Sequence, residues 1–167
     1  SVIEKILKDN VNKYKCYIAN DNSVGQVVIS GKNSDLENLI LDLKEKTIKN
    51  IKLPVSAPFH CNLMKNATII MKEKIDKVNF KEGTNKLISN VTAEEILDKD
   101  QLKKLLINQI ESRVRWRESI IFMINKGIDH FIEIGPGKVL SGLVKRINKD
   151  VKISTINIES DVRDLKL

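Results

Sequence analysis

His130-Phe131-Ile132-Glu133-Ile134-Gly135-Pro136-Gly137-Lys138 decides the fold class. A short apolar stretch of strand character runs into a Gly-Pro-Gly turn. Val139, Leu140, Leu143, Val144 and Ile147 then recur at helical spacing. Val151 to Ile158 reads as a further strand. Strand, tight turn, helix and strand make the crossover that joins parallel neighbours, so the spacing predicts α/β layering. The Gly135–Lys138 turn can present backbone N–H groups to an anion, or serve only as the βα connection. It lacks the G-x-x-x-x-G-K-[ST] spacing of a nucleotide loop. A phosphate or nucleotide binder built on it is one functional alternative.

Upstream of this unit, Trp116, Ile120, Ile121 and Ile124 mark a helix ended by Gly127, and Leu102, Leu105, Leu106 and Ile110 mark another. Lys86 to Ile88 reads as a strand leading to Ser89-Asn90-Val91-Thr92. Leu63, Met64, Ala67, Ile70, Met71, Ile75 and Val78 mark a long amphipathic helix starting near His60. At the front, Val2, Ile3, Ile6, Leu7 and Val11 have helical spacing. Tyr14 to Ala19 and Gln26 to Ser30 read as strands around the turn-like Asn20-Asp21-Asn22-Ser23-Val24-Gly25, which suggests a hairpin. Ser34 can cap the next helix, whose apolar face is Leu36, Leu39, Ile40, Leu43 and Thr47. Ile51 to Leu53 reads as a short strand. This order suggests a ferredoxin-like α+β subdomain over residues 1–54 that lacks its first strand, with a second unit over 55–167.

The chain has 167 residues and is 41% hydrophobic, which excludes a disordered chain; aromatics are only 4%, so the core is aliphatic. Its 29 Lys and Arg against 22 Asp and Glu give a net charge of +7. The basic residues are scattered, as in Lys103-Lys104 and Lys145-Arg146, without the aromatic interleaving of a single-strand binder. The charge therefore reflects solvated helix faces or an acidic partner; neither nucleic acid nor membrane is expected as a partner. Cys16 and Cys61 have no metal-ligand spacing with His60 and His130, so both are read as reduced thiols, no metal is expected, and a reducing cytoplasm is the default.

Pro54-Val55-Ser56-Ala57-Pro58-Phe59-His60-Cys61 holds the residues most suited to chemistry. A histidine between a proline-stiffened loop and a helix start is placed like a general base, and a helix N-terminus would disfavour its charged form. It can equally be a loop histidine bonded to backbone. Cys61 is adjacent in sequence and so points elsewhere, which argues against a Cys-His dyad. Gln109 falls on the apolar face of its helix, where its amide needs a partner, or lies at a helix end. Asn20 and Asn22 can bind a ligand or their own turn backbone. Arg113, Arg115 and Arg117, around Trp116, can contact an acidic partner or solvate a helix start.

Several segments together resemble malonyl-CoA:acyl carrier protein transacylases. Leu53 to Cys61 with Leu63-Met64 is similar to the family's active-site histidine motif. Asn22 to Gly31 resembles its hairpin, Gln109 to Trp116 its glutamine segment, and Glu133 to Ile147 its C-terminal signature. The resemblance implies an incomplete α/β-hydrolase-like acyltransferase subdomain beside the small ferredoxin-like one. It implies malonyl transfer from malonyl-CoA to the phosphopantetheine thiol of acyl carrier protein in type II fatty acid synthesis, through a seryl ester. His60 is then the base, oriented by the main-chain carbonyl at Gln109, and no cofactor is required. No serine lies in G-x-S-x-G: Ser23, Ser30, Ser56 and Ser141 all lack the flanking glycines. The nucleophile is thus expected outside this chain, the isolated chain is expected to be inactive, and acyl carrier protein, which is acidic, malonyl-CoA and the missing N-terminal half are the expected partners. A non-catalytic role, binding whatever supplies that half, is the alternative.

Overall fold

The computed structural model describes residues 1–165, so the last two residues of the 55–167 unit lie outside the described residues. The front of the chain forms helix α1 (Val2–Asp9), strands β1 (Cys16–Ser23) and β2 (Gln26–Gly31), and helix α2 (Asn33–Glu45). Ile6 of α1, Tyr14, and Leu39 and Leu43 of α2 are buried together, with Ile3, Leu7, Cys16, Ile29 and Ile48 packed around them. Helix α1 stops short of Val11, because the Asn10 side chain turns back and donates to the Ile6 carbonyl at 2.9 Å. Helix α2 starts after Lys32 without a side-chain cap, so Ser34 lies inside it and does not cap it.

The hairpin forms, but its turn is shorter than expected. β1 and β2 pair antiparallel from Cys16↔Gly31 to Ser23↔Gln26, leaving Val24 and Gly25 at the turn, with Gly25 at φ 77°. Asn20, Asp21, Asn22 and Ser23 are therefore strand, although their types favour turns. Tertiary contacts override that preference: Asp21 is buried against two arginines, and Asn20 pairs with Val114. Register irregularities at Ile18/Asn20 and Asp21/Ser23 fit this extra duty. The strand expected at 51–53 does not form. Ile51 is 74% exposed and no pairing partner lies beside it among the described residues. The front unit is thus a two-stranded hairpin carrying two helices.

The rest comprises a 3₁₀ turn (Asn62–Met64), α3 (Lys65–Asp76), α4 (Lys99–Gln109), α5 (Trp116–Asn125), β3 (His130–Ile134), α6 (Val139–Ile147), β4 (Lys152–Ile156) and α7 (Glu159–Asp164). β3 and β4 pair in parallel from His130↔Lys152 to Ile134↔Ile156, with α6 as the crossover, which is the α/β unit read from the sequence. Ile120, Val144 and Val151 form its core with Trp116, Met123, Ile124, Phe131, Ile147 and Ile153. Helix α5 ends at Gly127, φ 89°, where the N–H of Gly127 reaches Ile124 O at 2.9 Å and that of Ile128 reaches Met123 O at 3.1 Å. β4 stops at Ile156 because Asp161 takes the Asn157 N–H at 2.7 Å and starts the unforeseen α7. Of the strand expected at Lys86–Ile88, only an isolated bridge from Ile88 to Glu95 exists. Helix α3 ends before Val78 and exposes Ile69, Ile70 and Met71.

β1 is the junction of the two parts. Val114 donates to Ala19 O at 2.7 Å and accepts from Asp21 N–H at 2.9 Å, while α5 and α6 both pack on the strand. No helix of the described residues is long and apolar enough to cross a membrane.

Candidate active site

His60 sits at φ +61°, a left-handed conformation uncommon for a residue with a side chain. Bonds on both sides hold it there. The Ser30 hydroxyl on β2 donates to Phe59 O at 2.7 Å, and the Cys61 thiol donates to Pro58 O at 3.1 Å. The third tie is chemical in consequence: His60 Nδ1 lies 3.0 Å from the main-chain oxygen of Gln109. Gln109 is the last residue of α4, where carbonyls have no partner within the helix. A carbonyl only accepts, so Nδ1 carries a proton, and in the neutral ring it is Nε2 that has the lone pair.

This corrects the expected helix start at His60. Cys61 is extended, the 3₁₀ turn begins at Asn62, and α3 begins at Lys65. The helix end facing the imidazole is the C-terminus of α4, not a helix N-terminus. The Gln109 side chain is likewise not in an apolar core. It is half-buried, and its Nε2 donates to Ser112 O at 2.9 Å, closing the turn after α4.

That turn is tied to β1 through Asp21, a buried carboxylate that the sequence does not advertise. Arg113 Nη2 donates to its Oδ2 at 2.7 Å; Arg117 donates through Nη2 at 2.7 Å and Nε at 3.1 Å. Burial alone would push the Asp21 carboxyl up; the bonds from Arg117 and Arg113 outweigh it and hold it below the usual carboxylate range. Arg115 pairs with Glu118 and gives its N–H to Asn90 O at 2.9 Å. All three arginines are thus engaged within the chain, which accounts for them without an outside acidic partner.

Asn20 and Asn22 are half-buried on β1. The backbone beside Asn20 bridges Val114, five residues beyond Gln109, and neither asparagine side chain bonds His60 or Gln109 among the described residues. Cys61 is buried with its thiol turned to Pro58, and Cys16 is pushed up to about 11, first by burial and then by Asp35; both are free thiols. In the Gly135–Lys138 turn both glycine N–H groups are in use. Gly135 N–H goes to Ile156 O at 2.9 Å and Gly137 N–H to Asn157 Oδ1 at 2.8 Å. Glu133 accepts from Leu140 at 3.0 Å and Ser141 at 2.7 Å, so the first turn of α6 is capped by the chain's own carboxylate. A cleft of about 310 Å³, missed in the sequence, is lined by Lys15, Tyr17, Lys32 and Asp35 and by Asn62 and Leu63, which follow His60 in the chain; neither His60 nor Gln109 lines it.

No family model matches the chain. A Bacillus subtilis (strain 168) protein named malonyl CoA-acyl carrier protein transacylase is 44% identical over 154 residues, covering 89% of this chain and 49% of that protein. One of the same name from Staphylococcus aureus (strain COL) is 39% identical over 146 residues, 87% of this chain and 47% of its own length. The crystal structure of a Clostridium perfringens malonyl CoA-acyl carrier protein transacylase superposes with a TM-score of 0.91 at 37% identity, over 97% of this chain and 51% of that one. The chain belongs to the malonyl-CoA:acyl carrier protein transacylase family. It spans about half the length of the curated relatives it matches. Another member of the family, solved in complex with a type II polyketide acyl-carrier protein, has a TM-score of 0.90 at 30% identity, over 96% of this chain and 52% of its own. The α/β acyltransferase fold of these relatives agrees with the β3–α6–β4 unit described above.

Proposed function

We propose that this chain supplies the general-base part of an acyltransferase that moves malonyl from coenzyme A to the thiol of acyl carrier protein. The single observation that carries the reading is the bond from His60 Nδ1 to the Gln109 carbonyl, which leaves Nε2 as the free base. The nucleophile is a serine outside these 167 residues, since none of them lies in G-x-S-x-G. In the first half-reaction Nε2 removes the serine proton as Oγ attacks the malonyl thioester. The C–S bond breaks, and Nε2–H returns the proton to the departing coenzyme A thiolate. In the second half the carrier thiol gives its proton to Nε2 and attacks the ester, and the serine oxygen recovers the proton. The Gln109 carbonyl plays the orienting part that a carboxylate plays in other triads. The names of the relatives, and the carrier complex of one of them, support the substrate class. The net charge of +7 suits an acidic carrier protein.

The test joins this chain to the serine-bearing half of a relative and follows malonyl transfer. His60→Ala should lower the rate about 10²–10⁴-fold, the usual contribution of a positioned base. An unchanged rate would refute the role. A second reading, association with a separate chain that supplies the missing half, draws on the exposed Ile69, Ile70 and Met71 of α3. Co-purification with such a half would support it, and a stable lone monomer would count against it.

A further inference from the structure

We propose that Asp21 is a positioning residue that holds the Gln109 carbonyl against His60, an inference that rests on the reading of His60 as the base. The carbonyl stands where α4 ends, and the helix alone does not fix the path of the chain beyond it. The segment 110–115 is not helical and runs on to α5. It is held at three places. Within itself, Gln109 Nε2 reaches Ser112 O at 2.9 Å and Ser112 N–H reaches Asn108 O at 3.0 Å. Through the backbone, Val114 pairs with Ala19 and Asp21 of β1. Through charge, Arg113 before the pairing and Arg117 in the first turn of α5 converge on one carboxylate, which is 3% exposed.

Asp21 therefore grips both sides of the α4–α5 connection from a single strand position. Arg113 has one other ion pair, to the exposed Glu4 at 2.7 Å, and its Nε is buried without a partner, so Asp21 is its one buried counter-charge among the described residues. Without the Asp21 charge, two guanidiniums face one another across a neutral amide. They repel, and the connection moves with them. Gln109 lies four residues before Arg113, so its carbonyl withdraws and His60 loses the partner that fixes its tautomer. A purely structural ion pair would change stability and leave the tautomer of a folded variant untouched.

The experiment uses the whole chain and needs no activity. It has two histidines, His60 and His130. Long-range ¹⁵N–¹H correlation of the neutral imidazoles therefore reads both, and His130, bonded through Nε2 to Ser154 Oγ at 2.9 Å, is the internal control. In the wild type, His60 Nδ1 is expected in the protonated range. In Asp21→Asn it is expected to shift toward mixed tautomers while His130 stays. If Asp21→Asn does not fold, Arg117→Gln, which leaves the Arg113–Asp21 pair in place, should give a smaller shift in the same direction. A folded variant with His60 unchanged, or with both histidines shifted alike, overturns the role of Asp21 and leaves the His60 reading standing. A wild type in which Nδ1 is unprotonated overturns both.

Discussion

Replacing His60 by glycine should leave a more stable protein than replacing it by alanine. Both changes delete the imidazole and its bond to Gln109, so the difference isolates the backbone at φ +61°. A residue with a Cβ costs about 1–2 kcal/mol in the left-handed region, which glycine avoids. Glycine gives back about 0.5–1 kcal/mol through its greater freedom in the unfolded chain. The balance favours His60→Gly over His60→Ala by about 0.5–1 kcal/mol. With a urea slope of about 2 kcal/mol/M, this places the glycine midpoint about 0.3–0.5 M higher. The same pair of substitutions at Lys104, exposed within α4, supplies the opposite sign, with alanine favoured by about 1 kcal/mol. An alanine variant at 60 as stable as the glycine variant would refute the strained loop, and with it the geometry that presents the imidazole.

Other substitutions probe the surroundings. Asp21→Asn should cost about 2–3 kcal/mol at pH 7 in urea titrations, less than the ~3–5 kcal/mol of a fully buried broken pair because the Arg113 and Arg117 side chains remain 28% and 33% exposed. Since the folded carboxyl lies below its ordinary value, that stability is complete above the unfolded pKa of about 3.9 and fades as pH falls through the folded value; a gap constant down to acid pH would contradict the pairing. Ile120→Ala, at a site 1% exposed, should lower stability by about 3–4 kcal/mol, and a loss under 1 kcal/mol would mean the β3–α6–β4 core is not packed as described. At neutral pH neither Cys61 nor Cys16 should react with a thiol reagent until denaturant is added, Cys61 because it is buried and Cys16 because its thiol is pushed up to about 11; fast labelling of Cys61 in the native state would show the His60 loop to be open.

Legibility in the sequence followed the range of the interactions. The unit from His130 to Ile147 could be read because alternation, glycines and helical spacing are local signals, and they agree with the parallel pairing of β3 and β4. Asn20 to Ser23 could not, because what straightens them is a pair of arginines some ninety residues further on. Ile51 to Leu53 have strand-forming types, but strand propensity needs a neighbour to pair with, and none stands there. At the site, the proline-stiffened loop pointed to His60. Its left-handed φ and the role of a main-chain oxygen at Gln109 carry no side-chain signature; helical spacing drew attention to the Gln109 amide, and the part played by its carbonyl came only through resemblance.

Whether His60 serves a serine outside these 167 residues is tested by intact mass. This chain and a relative's serine-bearing half are incubated with malonyl-CoA, separately and mixed, and each is weighed. This chain should stay near 19.0 kDa throughout, while the serine-bearing half gains one malonyl group when this chain is present and loses that gain with His60→Ala. A malonyl group on this chain itself, or acylation of the other half that is indifferent to His60, would contradict the assignment of His60 as the base.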